Sequence, residues 1–294
     1  MPTSTLADVT PRFLLREREQ PVHHRYRGLD EPHAHANGLC SPAGLHRRPW
    51  LERLRRALRR DLFVLHYQPI VSVSDGSVSH YEALLRLADE PDGRLVAPAS
   101  FLPAAERYGL IREIDRMVLD KVTALLGGRH GDGGMNLAVN LSALSVTDTD
   151  MLGHIEERLA RHRVRSGRLV IEITETAAIS DMRCAKAFCA DVQALGCPIA
   201  LDDFGAGFGS FQYLKHLPFT YLKIDGDFIR RLPASREDQL VVQALVGVVR
   251  GLGRRTIAEF VGDEPTMRLL RGYGVDYAQG FEVGRPHPLV PLAA

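Results

Sequence analysis

Apolar residues in this chain keep two alternating rhythms. Short aliphatic runs read as strands: Leu137-Ala138-Val139-Asn140-Leu141-Ser142, Leu169-Val170-Ile171-Glu172-Ile173-Thr174-Glu175, Ile199-Ala200-Leu201-Asp202-Asp203, Leu222-Lys223-Ile224-Asp225, Thr256-Ile257-Ala258-Glu259 and Tyr277-Ala278-Gln279-Gly280-Phe281. Apolar residues recur at helical spacing over 98–108, 113–126, 148–162, 181–195, 235–252 and 264–273. Gly127, Gly196, Gly253 and Gly274 stand where left-handed helix stops are expected. The alternation predicts an α/β chain with a mostly parallel sheet. The first two strands break the rule, because Phe63–Val73 turns at Asp75-Gly76 directly into Val78–Leu87, and so short a turn joins antiparallel neighbours. The expectation is a (β/α)8 TIM-like barrel with one antiparallel strand, a fold of about 250 residues that fits within the 294 of this chain.

Nearly every strand carries a carboxylate or amide at its C-terminal end: Glu82, Asn140, Glu172, Asp202 with Asp203, Asp225, Glu259 and Gln279. A lone acid in an apolar strand costs several kcal/mol unless it is paired or bound to a cation. Parallel strands bring such ends together. Hard oxygen ligands in series then point to a divalent-metal hydrolase.

Residues 1–46 are rich in Pro, His, Arg and Gly without apolar periodicity, which predicts a disordered or loosely attached tail ahead of a single domain over 47–294. Trp50, Leu51, Leu54, Ala57 and Leu58 then recur at helical spacing among Arg53, Arg55, Arg56, Arg59 and Arg60. Such a helix either packs across the barrel with its arginines in solvent or serves a dimer, lipid or partner contact. The formal net charge of +1 gives no reason to expect a nucleic-acid polymer as partner. The longest apolar stretch, near 240–249, is interrupted by Gln243 and falls short of the roughly 20 residues of a membrane span. No basic segment followed by an apolar one opens the chain, and Cys40, Cys184, Cys189 and Cys197 form no Cys-x-x-Cys pair, so a cytoplasmic protein with reduced thiols is expected.

Several short motifs stand in one order: Tyr67-Gln68-Pro69-Ile70, Glu82-Ala83-Leu84 followed by Arg86, Asn140-Leu141-Ser142, Glu172-Ile173-Thr174-Glu175, Asp202-Asp203-Phe204-Gly205-Ala206-Gly207, Leu222-Lys223-Ile224-Asp225, Ala258-Glu259 and Gln279-Gly280-Phe281. In this the chain resembles an EAL domain, the bacterial phosphodiesterase family acting on cyclic di-GMP, from about Leu62 to Pro286. The resemblance implies hydrolysis of cyclic di-GMP to linear pGpG at a two-metal site in the C-terminal mouth of the barrel. It implies that Glu82, Asn140, Glu172 and Asp202 hold the first Mg2+ or Mn2+ and that Asp202 bridges to a second held with Asp203. It further implies a homodimer, coupled to the metal site through the glycine-rich loop after Asp203 and anchored by Glu175.

Hydrolysing a phosphodiester requires neutralising the phosphate, activating water and stabilising the leaving oxygen, and two cations roughly 3.5 to 4 Å apart can do all three. Lys223 and Glu259 are the candidates for the attacking water, the lysine holding it with a pKa lowered by the cations and the glutamate taking its proton. Asp225 lies in position to assist. Arg86 is placed to meet phosphate or guanine bidentately, and Gln68 and Gln279 to offer amides to guanine. Adjacent acids on a strand point to opposite faces, so Asp203 reaches the cavity only if the chain turns there, which the loop from Phe204 is expected to supply. His66, His80 and His216 match no family site and are expected as packing or surface residues.

The family pattern carries a second glutamate three positions after Glu259, where this chain has Gly262, with Asp263 and Glu264 close enough to move in. Two readings follow: an active cyclic di-GMP phosphodiesterase, or a catalytically weak EAL-type receptor that binds the nucleotide and signals through a partner protein.

Overall fold

A computed structural model describes residues 48–89, 93–128, 134–205 and 213–289. The tail expected over 1–46, and Ala206 and Gly207 of the glycine-rich loop, lie outside the described residues. The chain divides between Pro49 and Trp50, and the second unit carries the fold. Helix α1 (Arg48–Arg60) leads into strands β1 (Phe63–Ser72) and β2 (Val78–Leu87). Helices α2 (Pro98–Arg107) and α3 (Ile111–Gly127), strand β3 (Leu137–Leu141), helices α4 (Ala143–Val146) and α5 (Met151–His162) and strand β4 (Leu169–Thr174) follow. Then come α6 (Glu175–Ser180), α7 (Met182–Ala194), β5 (Ile199–Phe204), β6 (Tyr221–Ile224), α8 (Gly226–Ile229), α9 (Arg236–Gly251), β7 (Arg255–Ala258), α10 (Glu264–Tyr273) and β8 (Tyr277–Ala278).

The eight strands close a barrel in sequence order. Strand β1 runs antiparallel to both β2 and β8, and every other neighbouring pair is parallel. Odd-numbered apolar residues of β3 to β5, such as Leu137, Val139, Ile171, Ile173 and Leu201, pack outward with the helices into the main core. The residues between them face the barrel interior, as the two-residue side-chain period of a strand requires.

Two sequence expectations are corrected at the helix ends. Gly196, Gly253 and Gly274 do lie at positive φ, but Gly127 is inside α3 and its φ is not positive. A Cβ there would meet the His162 carbonyl oxygen at 2.2 Å, so Gly127 serves the close approach of the end of α5 to α3. The short helices α4, α6 and α8 were not expected. Each begins immediately after a strand end and is capped by the residue at the junction: Ser142, Thr174 and Asp225 accept from Ser145 N, Ala177 N and Asp227 N.

In α1, Leu54 and Ala57 are fully buried in the core. Arg53 and Arg56 pair with Asp89 at 2.9 Å. The packed reading of this helix therefore describes its apolar face, while Arg55, Arg59 and Arg60 are exposed.

Two residues before each strand-end polar group, the interior holds a lower layer of Ala138, Val170, Ala200 and Tyr221. His80 joins it, 2% exposed, with its ring centroid 5.4 Å from Tyr221 and 6.2 Å from Tyr277. Burial, helped by the charge of Lys223 and opposed by Glu82, depresses its pKa to about 4. The unfolded histidine titrates near 6.5, so between these values the unfolded chain binds the extra proton and stability falls as pH is lowered. The expected loss is about 3 kcal/mol from pH 7 to pH 4 for this residue. Chemical denaturation of wild type and His80→Phe across that range should show the wild type losing that much more stability than the variant, and parallel curves would refute it.

Candidate functional site

The strand register sets the polar groups side by side in the C-terminal mouth. Gln68 faces Glu82 across β1 and β2, Asn140 faces Glu172 across β3 and β4, and Thr174 faces Asp202 across β4 and β5. Lys223 projects from β6 into their midst and is 1% exposed. Its Nζ lies 2.9 Å from Glu172 Oε2, 2.9 Å from Glu259 Oε1, 3.0 Å from Asp202 Oδ1 and 3.4 Å from Glu82 Oε2. Four buried carboxylates thus share one ammonium.

Each acid is held differently. Glu82 accepts from Asn140 Nδ2 at 2.7 Å and from Gln279 Nε2 at 2.6 Å. Burial pushes its pKa up, but Lys223, Gln279 and Asn140 outweigh that and hold it below the usual range. Glu172 and Glu259 are driven well above theirs, by burial first. Asp202 is also raised, and Asp203 is pushed up to about 6 by burial and by the charge of Asp202. Burial lowers the Lys223 pKa, yet the four carboxylates outweigh it and the net shift is upward. The lowering expected beside cations must therefore come from the cations, since the protein's own groups act the other way.

One oxygen from each of Glu82, Glu172 and Asp202 lies within 4.8 Å of the other two, and the same holds for Asp202, Asp203 and Glu259. Asp202 belongs to both sets. The residues fit divalent cations on three counts: the donors are hard oxygens, the acids outnumber the one lysine, and buried Glu172 Oε1 has no hydrogen-bond partner.

Asp203 enters the second set by a local break in the strand. The β5/β6 register shifts between Leu201 and Phe204, and Asp203 has φ +55°. A bulge with a left-handed residue turns two successive side chains toward one side, so the turn comes at Asp203 itself, ahead of the loop expected to supply it. Glu175 Oε2 accepts from Gly205 N at 2.8 Å, tying α6 to the backbone where that loop begins.

The remaining predicted residues are less central. Asp225 lies just past β6, with one oxygen accepting from Asp227 N at 2.7 Å. Arg86 is half-buried farther along β2, donating to Leu85 O at 2.8 Å. Gln68 and Gln279 are buried and bonded to each other at 3.2 Å, and Gln68 also donates to Gly284 O at 3.0 Å.

Gly262 has no left-handed φ, and a Cβ there would meet only Phe260 O, at 3.9 Å. Neither acid beside it substitutes for a missing glutamate. Asp263 caps α10 by accepting from Thr266 N at 2.8 Å, and Glu264 is exposed on the first turn.

Asp115 was missed in the sequence. This buried residue of α3 accepts from Ser142 N at 3.0 Å, Ser142 Oγ at 2.7 Å and Ser145 Oγ at 2.6 Å, fixing the chain just after Asn140. An acid at a core-facing helical position was the available signal. Phe260, next to Glu259, has a left-handed backbone that the sequence does not announce.

A family model described as EAL domain matches residues 51–286, so it takes in most of α1, ahead of the start at Leu62. The chain is 39% identical over 248 residues to the bifunctional diguanylate cyclase/cyclic di-GMP phosphodiesterase MucR of Pseudomonas aeruginosa, an overlap of 83% of this chain and 36% of that protein. It spans about a third of the length of the curated relatives it matches. Among solved structures, the PaMucR phosphodiesterase in its c-di-GMP complex superposes with a TM-score of 0.77 at 39% identity, covering 82% of this chain and 98% of that one. The Xanthomonas citri FimX EAL domain in complex with c-diGMP gives 0.77 at 34% identity, covering 84% and 96%. Among the described residues, no helix is long and apolar enough to cross a membrane.

Proposed function

The chain belongs to the EAL domain family, and from that premise we propose that it hydrolyses cyclic di-GMP to linear pGpG with Mg2+ or Mn2+. The observation that carries this is the pair of carboxylate sets sharing Asp202 around Lys223. Glu82, Asn140, Glu172 and Asp202 would hold one cation, and Asp202 with Asp203 the other. Bound there, two divalent cations neutralise the phosphate, acidify water and stabilise the leaving oxygen.

The chain's own groups do the rest. Lys223 donates a hydrogen bond to the attacking water, and Glu259 accepts its proton. Asp225, one oxygen of which already caps α8, supports them through its charge near Asp203. Arg86 binds a phosphate oxygen or a guanine edge. Gln279 acts first on Glu82, whose carboxylate it orients, while Gln68 accepts from Gln279; Gln279 Oε1 is left to receive a guanine donor. Glu175 transmits the state of the loop after β5 to a second copy of the chain in a homodimer.

Incubating the protein with cyclic di-GMP and Mn2+ or Mg2+ and separating the products by chromatography tests the reading. Linear pGpG is expected, with inhibition by the larger and more loosely coordinated Ca2+. Tight binding without product in either metal would establish the receptor instead.

Gly262 offers a graded check. Because its backbone is not left-handed and a side chain there has room, Gly262→Glu should change stability by less than about 0.5 kcal/mol. Turnover or metal affinity should rise, within the roughly 10-fold to 100-fold span of residues that support metal ligands. Metal-titrated kinetics and a thermal melt measure both.

A further inference from the structure

Phe260 has φ +53°, in the left-handed region. Asp203, the other such residue in the site, is of a type that tolerates the region, whereas for a bulky aromatic it is a true outlier. The conformation has a visible effect on the sheet. Glu259 N donates to Ile224 O of β6, yet Val261 N, two residues on, donates to Gln279 O just beyond β8. In an extended strand alternate amides point the same way, so the chain swings from one neighbour to the other at Phe260.

Phe260 is 49% exposed, and its ring is flanked on two sides. A Cβ on Gly226 would meet Phe260 Cδ2 at 2.3 Å, so only glycine lets the ring lie against the start of α8. The Arg230 guanidinium covers the ring at 4.0 Å from its centroid, within cation–π range. Strain at one residue persists only where its surroundings hold it; here the contacts are Gly226 beneath the ring, the exposed Arg230 over it and the Val261 N bond to Gln279 O.

We propose that Phe260 is a positioning residue: clamped between Gly226 and Arg230, it locks the left-handed turn that aims Glu259 at Lys223 and at the second carboxylate set. This rests on the reading of Glu259 as the group that takes the water proton. Because a Glu259 oxygen lies within 4.8 Å of those of Asp202 and Asp203, its charge adds to the field of the cation those two would hold, so its alignment is also legible without turnover, as affinity for a divalent cation.

The test uses the full chain with Phe260→Gly, which relieves the backbone but removes the clamp, and Arg230→Ala, which uncovers the ring and also removes the exposed ion pair with Asp227. Mn2+ affinity of the metal-free protein, cyclic di-GMP affinity, kcat and the thermal melt are measured for each beside Glu259→Gln. For Phe260→Gly, Mn2+ affinity and kcat should fall about 10-fold to 100-fold, as for other groups that orient metal-site residues. Nucleotide affinity should stay within about threefold and the melt be unchanged or higher, since glycine suits this φ. Arg230→Ala should move the same readouts in the same direction by less. Wild-type Mn2+ affinity and kcat in Phe260→Gly would overturn the proposal, as would a selective loss of nucleotide affinity, which would make the ring a ligand contact. A joint fall of all readouts with the melt would overturn it as well, leaving Phe260 a packing residue. If Glu259→Gln keeps full turnover, the role of Glu259 as base fails separately, and Mn2+ affinity still decides the role of Phe260.

Discussion

Glu82→Ala is expected to abolish hydrolysis, lowering kcat by on the order of 10^3-fold or more. Loss of a cation that stabilises transition-state charge is worth several kcal/mol, and each 1.36 kcal/mol is tenfold in rate. Glu82 is the acid the site keeps most firmly ionised, because its oxygens accept from Asn140, Gln279 and Lys223. Removing it takes an oxygen from the first carboxylate set, leaves Asn140 Nδ2 without its acceptor and leaves Gln279 Nε2 only Gln68. Lys223 still has Glu172, Asp202 and Glu259 as counter-ions, so the variant should fold. Product chromatography beside a circular dichroism melt checks the result. A folded variant within tenfold of wild-type turnover would remove Glu82 from the metal site.

The acids were legible in the sequence because a carboxylate in an apolar strand needs a partner, and strand ends in an α/β fold converge on one mouth. Glu172 and Asp202 follow from that rule alone. Asp203 did not, since its entry depends on a bulge and a left-handed backbone that composition does not announce. Helices α4, α6 and α8 escaped for a related reason: none exceeds six residues, too few for a helical period to show. Gly127 read as a helix stop because sequence shows a glycine's freedom, but not the neighbouring chain that needs the space. The contact of Gln279 with Glu82 was not legible for a third reason: an amide suited to guanine is equally suited to a buried carboxylate, and only geometry shows that both partners lie within its reach.

Lys223→Met should separate the two tasks that this lysine combines. In the folded protein it is the only cation that touches Glu82, Glu172, Asp202 and Glu259 among the described ion pairs. Breaking a buried pair by removing one partner costs roughly 3–5 kcal/mol, and methionine fills similar space without the charge. The metal-free variant should therefore melt well below wild type. Protonation of Glu172 and Glu259, both already raised by burial, limits the loss. Saturating Mn2+ stabilises whichever folded form binds it, by about 2.7 kcal/mol at a hundredfold excess over Kd, and should narrow the gap by supplying the missing positive charge. Hydrolysis should not recover with stability. Removing one preorganised hydrogen-bond donor typically costs about 10^2-fold to 10^3-fold in kcat, so kcat should stay down by that order while cyclic di-GMP affinity changes little. Melts with and without Mn2+, together with kinetics and equilibrium binding at saturating metal, measure each part. Full recovery of kcat with Mn2+ would make Lys223 a counter-ion only, and an unchanged metal-free melt would show that the carboxylates never depended on it.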